Sequence, residues 1–147
     1  AGFQVEEVRV RARPGKGAVA LVGDAAFAMN GMEVHTAVDL NLPVVWVVLN
    51  NGGCGMIYHG ERMLFGDKFT CSLYGKRLDI AGIAKGLGAL SFQAKRPGEV
   101  KACLLEALKS GRPCVIDAEV DLYEKPPMGN RMKTFDKIAA MEIVKAV

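Results

Sequence analysis

Several things are scarce in this 147-residue chain. It has two histidines, and its four cysteines, Cys54, Cys71, Cys103 and Cys114, form no CxxC pair. A structural zinc site needs four clustered nitrogen or sulfur ligands, so none is expected. The thiols read instead as reduced and mostly buried, in a cytoplasmic protein. No apolar run approaches the length that crosses a bilayer, so no membrane segment is expected. Glu6, Glu7, Arg9, Arg11 and Arg13 interrupt any apolar core that an N-terminal secretory signal would need. Heptads, low-complexity tracts and internal repeats are missing. The net charge is only +3, with Lys and Arg scattered, which gives no reason to expect a nucleic-acid face. No GxGxxG follows the first predicted strand, which argues against a dinucleotide-binding domain.

What is present is apolar character, 50% of residues, enough for one domain with a sizeable core. The chain is organised around Leu21 to Met56. Ala18–Val22 is a small-apolar run that reads as a strand covered on both faces. Val44–Leu49, β-branched residues with Trp46, is bounded by Pro43 and Asn50 and reads as a second buried strand. Between them Phe27, Met29, Met32, Val34, Ala37 and Val38 fit one helix over 27–40, stopped by Asn41 and Pro43. Asp24 and Asn51 are 27 positions apart, a span that suits one helical crossover between neighbouring parallel strands. Both loops then lie at the same sheet edge, where open α/β folds bind ligands.

Elsewhere, residues 3–12 read as a short edge strand, and Arg13–Gly17 as a turn. Residues 50–77, rich in glycine, read as a short helix near 55–60 and a long loop. Asp79 caps a helix through about Leu87, ended by Gly88. Ala89–Ala94 is a strand. A helix runs to about Ser110 with Val100, Cys103, Leu104, Ala107 and Leu108 on one face. Cys114–Val120 is a strand, and Phe135–Val147 a terminal helix. The alternation implies an α/β fold with a doubly wound, mostly parallel sheet flanked by helices. Residues 1–147 read as a single domain, with 121–147 as a C-terminal extension.

The two loops carry the chemistry. Mg²⁺ takes about six oxygen ligands, one or two commonly from the protein and the rest from phosphate and water. Asp24 offers a carboxylate, Asn51 an amide oxygen and Gly53 a backbone carbonyl. Ala25 and Ala26, opening the helix, present N–H groups and small side chains to a diphosphate.

Gly23-Asp24-Ala25 followed by Asn50-Asn51 resembles the GDG…NN signature of thiamine diphosphate enzymes, with Ala25 replacing the last Gly. The helix after it, Phe27 to Ala37, resembles that of the acetolactate synthase group. Asn50–Ile57 resembles that group's NNxxxGMV. Asp79–Ala84 and Gly111–Asp117 resemble its D-(F/I)-x-x-(I/L)-A helix and GPxVI(D/E) strand. The likeness spans residues 12–120.

The resemblance implies that Asp24, Asn51 and the Gly53 carbonyl hold Mg²⁺. It places Gly23, Ala25 and Ala26 at the diphosphate, and Cys54, Gly55 and Met56 along the thiazolium side. Ala26 lacks the serine hydroxyl usual there. Family chemistry is decarboxylation or carboligation of a 2-keto acid, carried by the cofactor. A pyrimidine-binding domain, usually on a partner chain, supplies the activating glutamate. That domain and the upstream GxMG segment are missing from these 147 residues, so the chain reads as the diphosphate-binding half, trimmed at its start. It is expected to be inactive alone and to form a homodimer or higher assembly. The alternative is a non-catalytic relative kept as an oligomerisation or interaction module. Of the remaining polar residues, His35 and Glu33 read as locally satisfied on their helix, Tyr58 and His59 as loop packing or substrate-facing, and Met29 and Met32 as core.

Overall fold

The computed structural model describes residues 17–66 and 68–124. The expected strand over 3–12 and the terminal helix over 135–147 lie outside them. The chain divides into two compact units, Ala1–Asn50 with Leu78–Val120, and Asn51–Arg77 with Asp121–Val147.

The first unit holds a four-stranded parallel sheet. In chain order its elements are β1 (Ala18–Gly23), α1 (Asp24–Asn30), α2 (Glu33–Asp39), β2 (Val44–Asn50), α4 (Ile80–Gly86), β3 (Leu90–Ala94), α5 (Glu99–Ser110) and β4 (Cys114–Glu119), while α3 (Gly55–Phe65) belongs to the second unit. The strand order is β1-β2-β4-β3. Every pairing is parallel, with Gly23 opposite Leu49 and Val48 opposite Asp117.

Helices cover both faces, as a doubly wound sheet requires. On one face Phe27, Val34, Ala37, Ile80 and Ala84 pack on Ala18, Ala20, Val44, Trp46, Val48 and Val115. On the other, Ala107 with Val100, Cys103 and Leu104 packs on Val45, Val47, Ala94, Cys114, Ile116 and Ala118. Period-2 alternation along β2 and β4 thus feeds two cores, which is why both strands read as continuous apolar runs.

Three expectations need correction. The crossover is two helices, not one. At Gly31 a Cβ would meet the Phe27 carbonyl at 2.6 Å and the Phe27 ring at 2.7 Å, so the chain passes too close for any side chain. The offset between α1 and α2 turns Val34 and Ala37 to the sheet and leaves Met29 and Met32 outside, 77% and 67% exposed, rather than in the core. Second, β1 is buried on one face only. Val19 and Leu21, the latter 68% exposed, point to the α5 side, and among the described residues no helix spans that side of this edge strand. Third, Leu108 lies off the buried row of α5 and is exposed.

Other boundaries agree with the sequence. Asn41 ends the crossover with a left-handed backbone (φ 50°), which asparagine tolerates. Asp79 caps α4, its Oδ1 accepting the Gly82 N–H at 2.8 Å. The helix near 55–60 is longer than expected, running to Phe65.

Candidate functional site

The carboxyl ends of β1 and β2 lie side by side, since Gly23 pairs with Leu49. Gly23 is the last residue of β1, and Asp24 begins α1. Asp24 is 2% exposed and its Oδ1 accepts the Ala25 N–H at 2.8 Å. A carboxylate so buried needs polar partners. Ala25 is half-buried and Ala26 exposed, so only methyl groups flank the helix start.

At the tip of β2, Asn50 is 1% exposed. Its Nδ2 donates to the Leu78 carbonyl at 2.8 Å and to Asp117 Oδ1 at 2.9 Å. Asp117 Oδ2 in turn accepts the Ala81 N–H at the start of α4 at 3.3 Å. The Asn50 carbonyl accepts the Val120 N–H at 3.1 Å. The end of β2 is therefore fixed by side chain and backbone to β4 and to the segment entering α4. Sequence reasoning places Asp117 in a strand and gives it no role. The available signal is one carboxylate inside the otherwise apolar run Cys114–Ala118.

The chain then enters the second unit. Asn51 folds back on its own turn, its Oδ1 accepting the Gly53 N–H at 3.1 Å. Gly53 forms an antiparallel bridge with Leu73. The Cys54 N–H donates to the Ser72 carbonyl at 2.8 Å, and the Tyr74 N–H to the Gly52 carbonyl at 3.2 Å. A Cβ at Gly53 would stand 2.6 Å from the Ser72 carbonyl oxygen, so glycine is required by the neighbouring backbone. Helix α3 then begins at Gly55, where a Cβ would meet Asn51 Nδ2. Cys54 is half-buried, with Sγ 3.7 Å from the Tyr74 hydroxyl, and Met56 is exposed.

Further along α3, Tyr58 and His59 are buried rather than open to a ligand. The Tyr58 ring stacks on Phe69 with centroids 4.9 Å apart, meets His59 edge-on, and its hydroxyl accepts Arg62 Nη1 at 3.2 Å. Glu61, on the same helix, gathers donors from Thr70 and Ser72. In the first unit, Glu33 accepts the Thr36 hydroxyl on its own helix, as expected, whereas the partner of His35 comes from elsewhere in the fold, its Nδ1 standing 3.4 Å from the Leu87 carbonyl. Among the described residues no cluster of three His, Cys, Asp or Glu side chains could hold a metal ion. No helix among the described residues is long and apolar enough to cross a membrane.

Comparison with known proteins bears on this arrangement. The chain is 29% identical over 117 residues to the probable acetolactate synthase large subunit of Methanocaldococcus jannaschii, covering 80% of this chain and 20% of that protein. It is 34% identical over 123 residues to the putative acetolactate synthase large subunit IlvB2 of Mycobacterium tuberculosis, covering 80% and 21%. It is 40% identical over 95 residues to the 2-hydroxyacyl-CoA lyase of Saccharomyces cerevisiae, covering 64% and 16%. The chain thus spans about a fifth of the length of the relatives it matches. Residues 1–118 match the family described as thiamine pyrophosphate enzyme, C-terminal TPP binding domain. With the glycine–acid turn closing β1 and the paired asparagines closing β2, the chain belongs to that family, in its acetolactate synthase-like group.

Proposed function

We propose that the chain binds Mg²⁺-thiamine diphosphate as the diphosphate-binding half of a 2-keto acid decarboxylase or carboligase. In this reading Asp24, Asn51 and the Gly53 carbonyl are the metal ligands. Gly23, Ala25 and Ala26 lie against the diphosphate, and Cys54, Gly55 and Met56 line the thiazolium side. The observation that carries the reading is the buried Asp24 carboxylate at the first residue of a helix, directly after a strand whose neighbour ends at Asn50, the residue before Asn51.

The residues fit such a group chemically. The donor set is hard oxygen, which Mg²⁺ prefers, and it leaves coordination positions for phosphate and water. The methyl side chains at Ala25 and Ala26 allow close approach of an anion to the backbone. Thiamine diphosphate, when bound, supplies the carbon that attacks the keto group and accepts the electrons released with CO₂. The chain's own residues bind and orient. Asp24 sets a negative charge against the cation, and Asn51, braced by its bond to the Gly53 N–H, presents an amide oxygen without adding charge. The glutamate that exchanges a proton with the aminopyrimidine would come from a pyrimidine-binding domain, on a partner chain or a longer polypeptide.

The exposed apolar residues Leu21, Met29 and Met32 support assembly into a homodimer or larger oligomer, in the cytoplasm. A second reading, a non-catalytic relative serving as an interaction module, is favoured by Ala26, which offers no hydroxyl to the diphosphate. Calorimetry with Mg²⁺ and thiamine diphosphate decides between them. Saturable, Mg²⁺-dependent binding lost in Asp24→Ala supports the first; no binding at millimolar cofactor supports the second.

A further inference from the structure

We propose that Glu61 is a positioning residue. It clamps the 70–74 segment onto the Gly52–Cys54 turn and so sets the Gly53 carbonyl for the metal; this rests on the cofactor reading above. The clamp lies wholly within the second unit. The contact between the two segments is short: one bridge, Gly53 with Leu73, and two backbone hydrogen bonds, from Cys54 N–H to the Ser72 carbonyl and from Tyr74 N–H to the Gly52 carbonyl. A pairing of that length does not hold itself together in water. Something must hold the segment from the other side.

Glu61 does so. Its Oε2 accepts the Ser72 hydroxyl at 2.5 Å. Its Oε1 accepts the Thr70 hydroxyl at 2.5 Å and the Thr70 N–H at 3.2 Å. Ser72 is fully buried, so its hydroxyl has little alternative in solvent. The three donors stabilise the ionised carboxylate and hold it below the ordinary range for glutamate. Hydrogen bonds to a charged acceptor are roughly twice as strong as neutral ones.

The geometry closes a circuit. Helix α3 starts at Gly55, directly after the turn, and carries Glu61 about 1.7 turns along. Glu61 holds Ser72, and the Ser72 carbonyl returns to the Cys54 N–H. The turn is thus tied at both ends to one rigid helix. The fit is tight, since a single Cβ at Gly53 would collide with the Ser72 carbonyl. The Ser72 backbone packs directly against Gly53, whereas Glu61 acts on the 52–54 turn through Ser72 and Thr70. Removing a group that orients metal ligands typically weakens metal affinity roughly 10- to 100-fold.

The test compares the 147-residue chain with Glu61→Ala and Glu61→Gln. Two quantities are read: amide hydrogen exchange at Cys54 and Tyr74, and calorimetric affinity for thiamine diphosphate with Mg²⁺. Glu61→Ala should speed exchange at both amides, leave Trp46 and Val48 in the sheet protected, and weaken cofactor binding by about tenfold or more. Glu61→Gln keeps one acceptor, and its amide can donate to the Ser72 hydroxyl, so it should recover part of both. Unchanged exchange at Cys54 and Tyr74 in Glu61→Ala, or unchanged affinity, overturns the proposal. So does a loss of binding that merely tracks the unfolded fraction. Wild-type chain that binds no cofactor sinks the functional reading, while the exchange rates still decide whether the clamp exists. Should Glu61→Ala not fold, Ser72→Ala carries the same test, because it removes the hydroxyl and keeps the carbonyl.

Discussion

Asn50 Nδ2 stands 2.9 Å from Asp117 Oδ1, a hydrogen bond between two buried side chains at the carboxyl ends of neighbouring strands. The same carboxylate accepts the Ala81 N–H, so one acid ties β2, β4 and the start of α4 together. Asp117→Ala strips Asn50 of one of its partners and leaves a helix N–H buried. Leaving a buried donor unsatisfied costs about 1–3 kcal/mol. Urea denaturation should show Asp117→Ala destabilised by roughly 2 kcal/mol or more. A change within about 0.5 kcal/mol, as at an ordinary surface site, would mean the network is not structural.

Metal ligation makes a separate demand. Asp24→Ala removes the proposed ligand charge but leaves a small residue at the helix start, and Asn51→Ala removes the neutral oxygen. Both should abolish Mg²⁺-dependent binding of thiamine diphosphate in calorimetry while far-ultraviolet circular dichroism stays unchanged. Asn51→Asp retains an oxygen donor and should retain part of the affinity. If Asp24→Ala binds as tightly as the parent chain, Asp24 is an N-terminal helix residue and nothing more.

Much of this architecture is legible in the amino-acid sequence. Val44–Leu49 feeds two cores, so its run of β-branched residues announces a central strand, and Asp79 announces a helix by offering a carboxylate at the right offset. The placement of Asp24 and Asn50 at neighbouring strand ends is legible because a crossover of that span returns to the adjacent strand. The break at Gly31 is hidden, because it arises from the Phe27 ring and carbonyl approaching that glycine, a contact with no periodic trace. Exposure of Leu21 is hidden too: whether a strand is covered on both faces depends on where the next helix packs. Glu61 and Ser72 are 11 residues apart across an irregular loop, and nothing in their spacing signals a hydrogen bond. Such long-range polar pairings are fixed by tertiary structure alone.

Acid should loosen specific places first. Glu99 accepts the Lys95 N–H at 2.8 Å, the Arg96 N–H at 3.0 Å and Arg96 Nε at 2.6 Å. The Lys95 N–H, then the Arg96 side chain, hold its carboxyl below the ordinary value. Donors to Glu61, the Ser72 and Thr70 hydroxyls foremost, do the same there. A folded-state value below the unfolded one means the stabilisation is fully present above about pH 4.3, the unperturbed glutamate value, and is lost as pH falls through the folded value. Protection of the Arg96 and Thr70 amides, taken as exchange relative to the intrinsic rate at each pH, should therefore fall below about pH 4, and Glu99→Gln should remove that dependence at Arg96 alone. Equal pH dependence in the parent chain and Glu99→Gln would refute the assignment.

The four thiols should separate by rate. Cys71 is exposed, Cys54 and Cys103 are half-buried, and Cys114 is buried. Burial pushes the Cys103 and Cys114 thiols above their usual range, lowering the reactive thiolate fraction. Timed alkylation at pH 8 followed by peptide mass spectrometry should modify Cys71 first and Cys114 last. Cys114 reacting as fast as Cys71 in folded protein would contradict its position against Ala107 and Ser110 on α5.

Gly53 and Gly75 make a matched pair, because both lie in the second unit yet face different surroundings. A methyl group at Gly53 would stand 2.6 Å from the Ser72 backbone carbonyl, with the Leu122 side chain at 3.5 Å, whereas at Gly75 it would meet nothing within 4 Å. Backbone cannot swing away as a flexible side chain can. Gly53→Ala must therefore separate the Gly53–Leu73 bridge, at a typical overpacking cost of about 1–3 kcal/mol. Gly75→Ala should stay within about 0.5 kcal/mol of the parent chain. Separation of the bridge should also free the Cys54 N–H, so exchange there should accelerate in Gly53→Ala and not in Gly75→Ala. Two alanine variants with the same stability and the same Cys54 exchange rate would show that residues 53 and 72 do not lie in contact in solution.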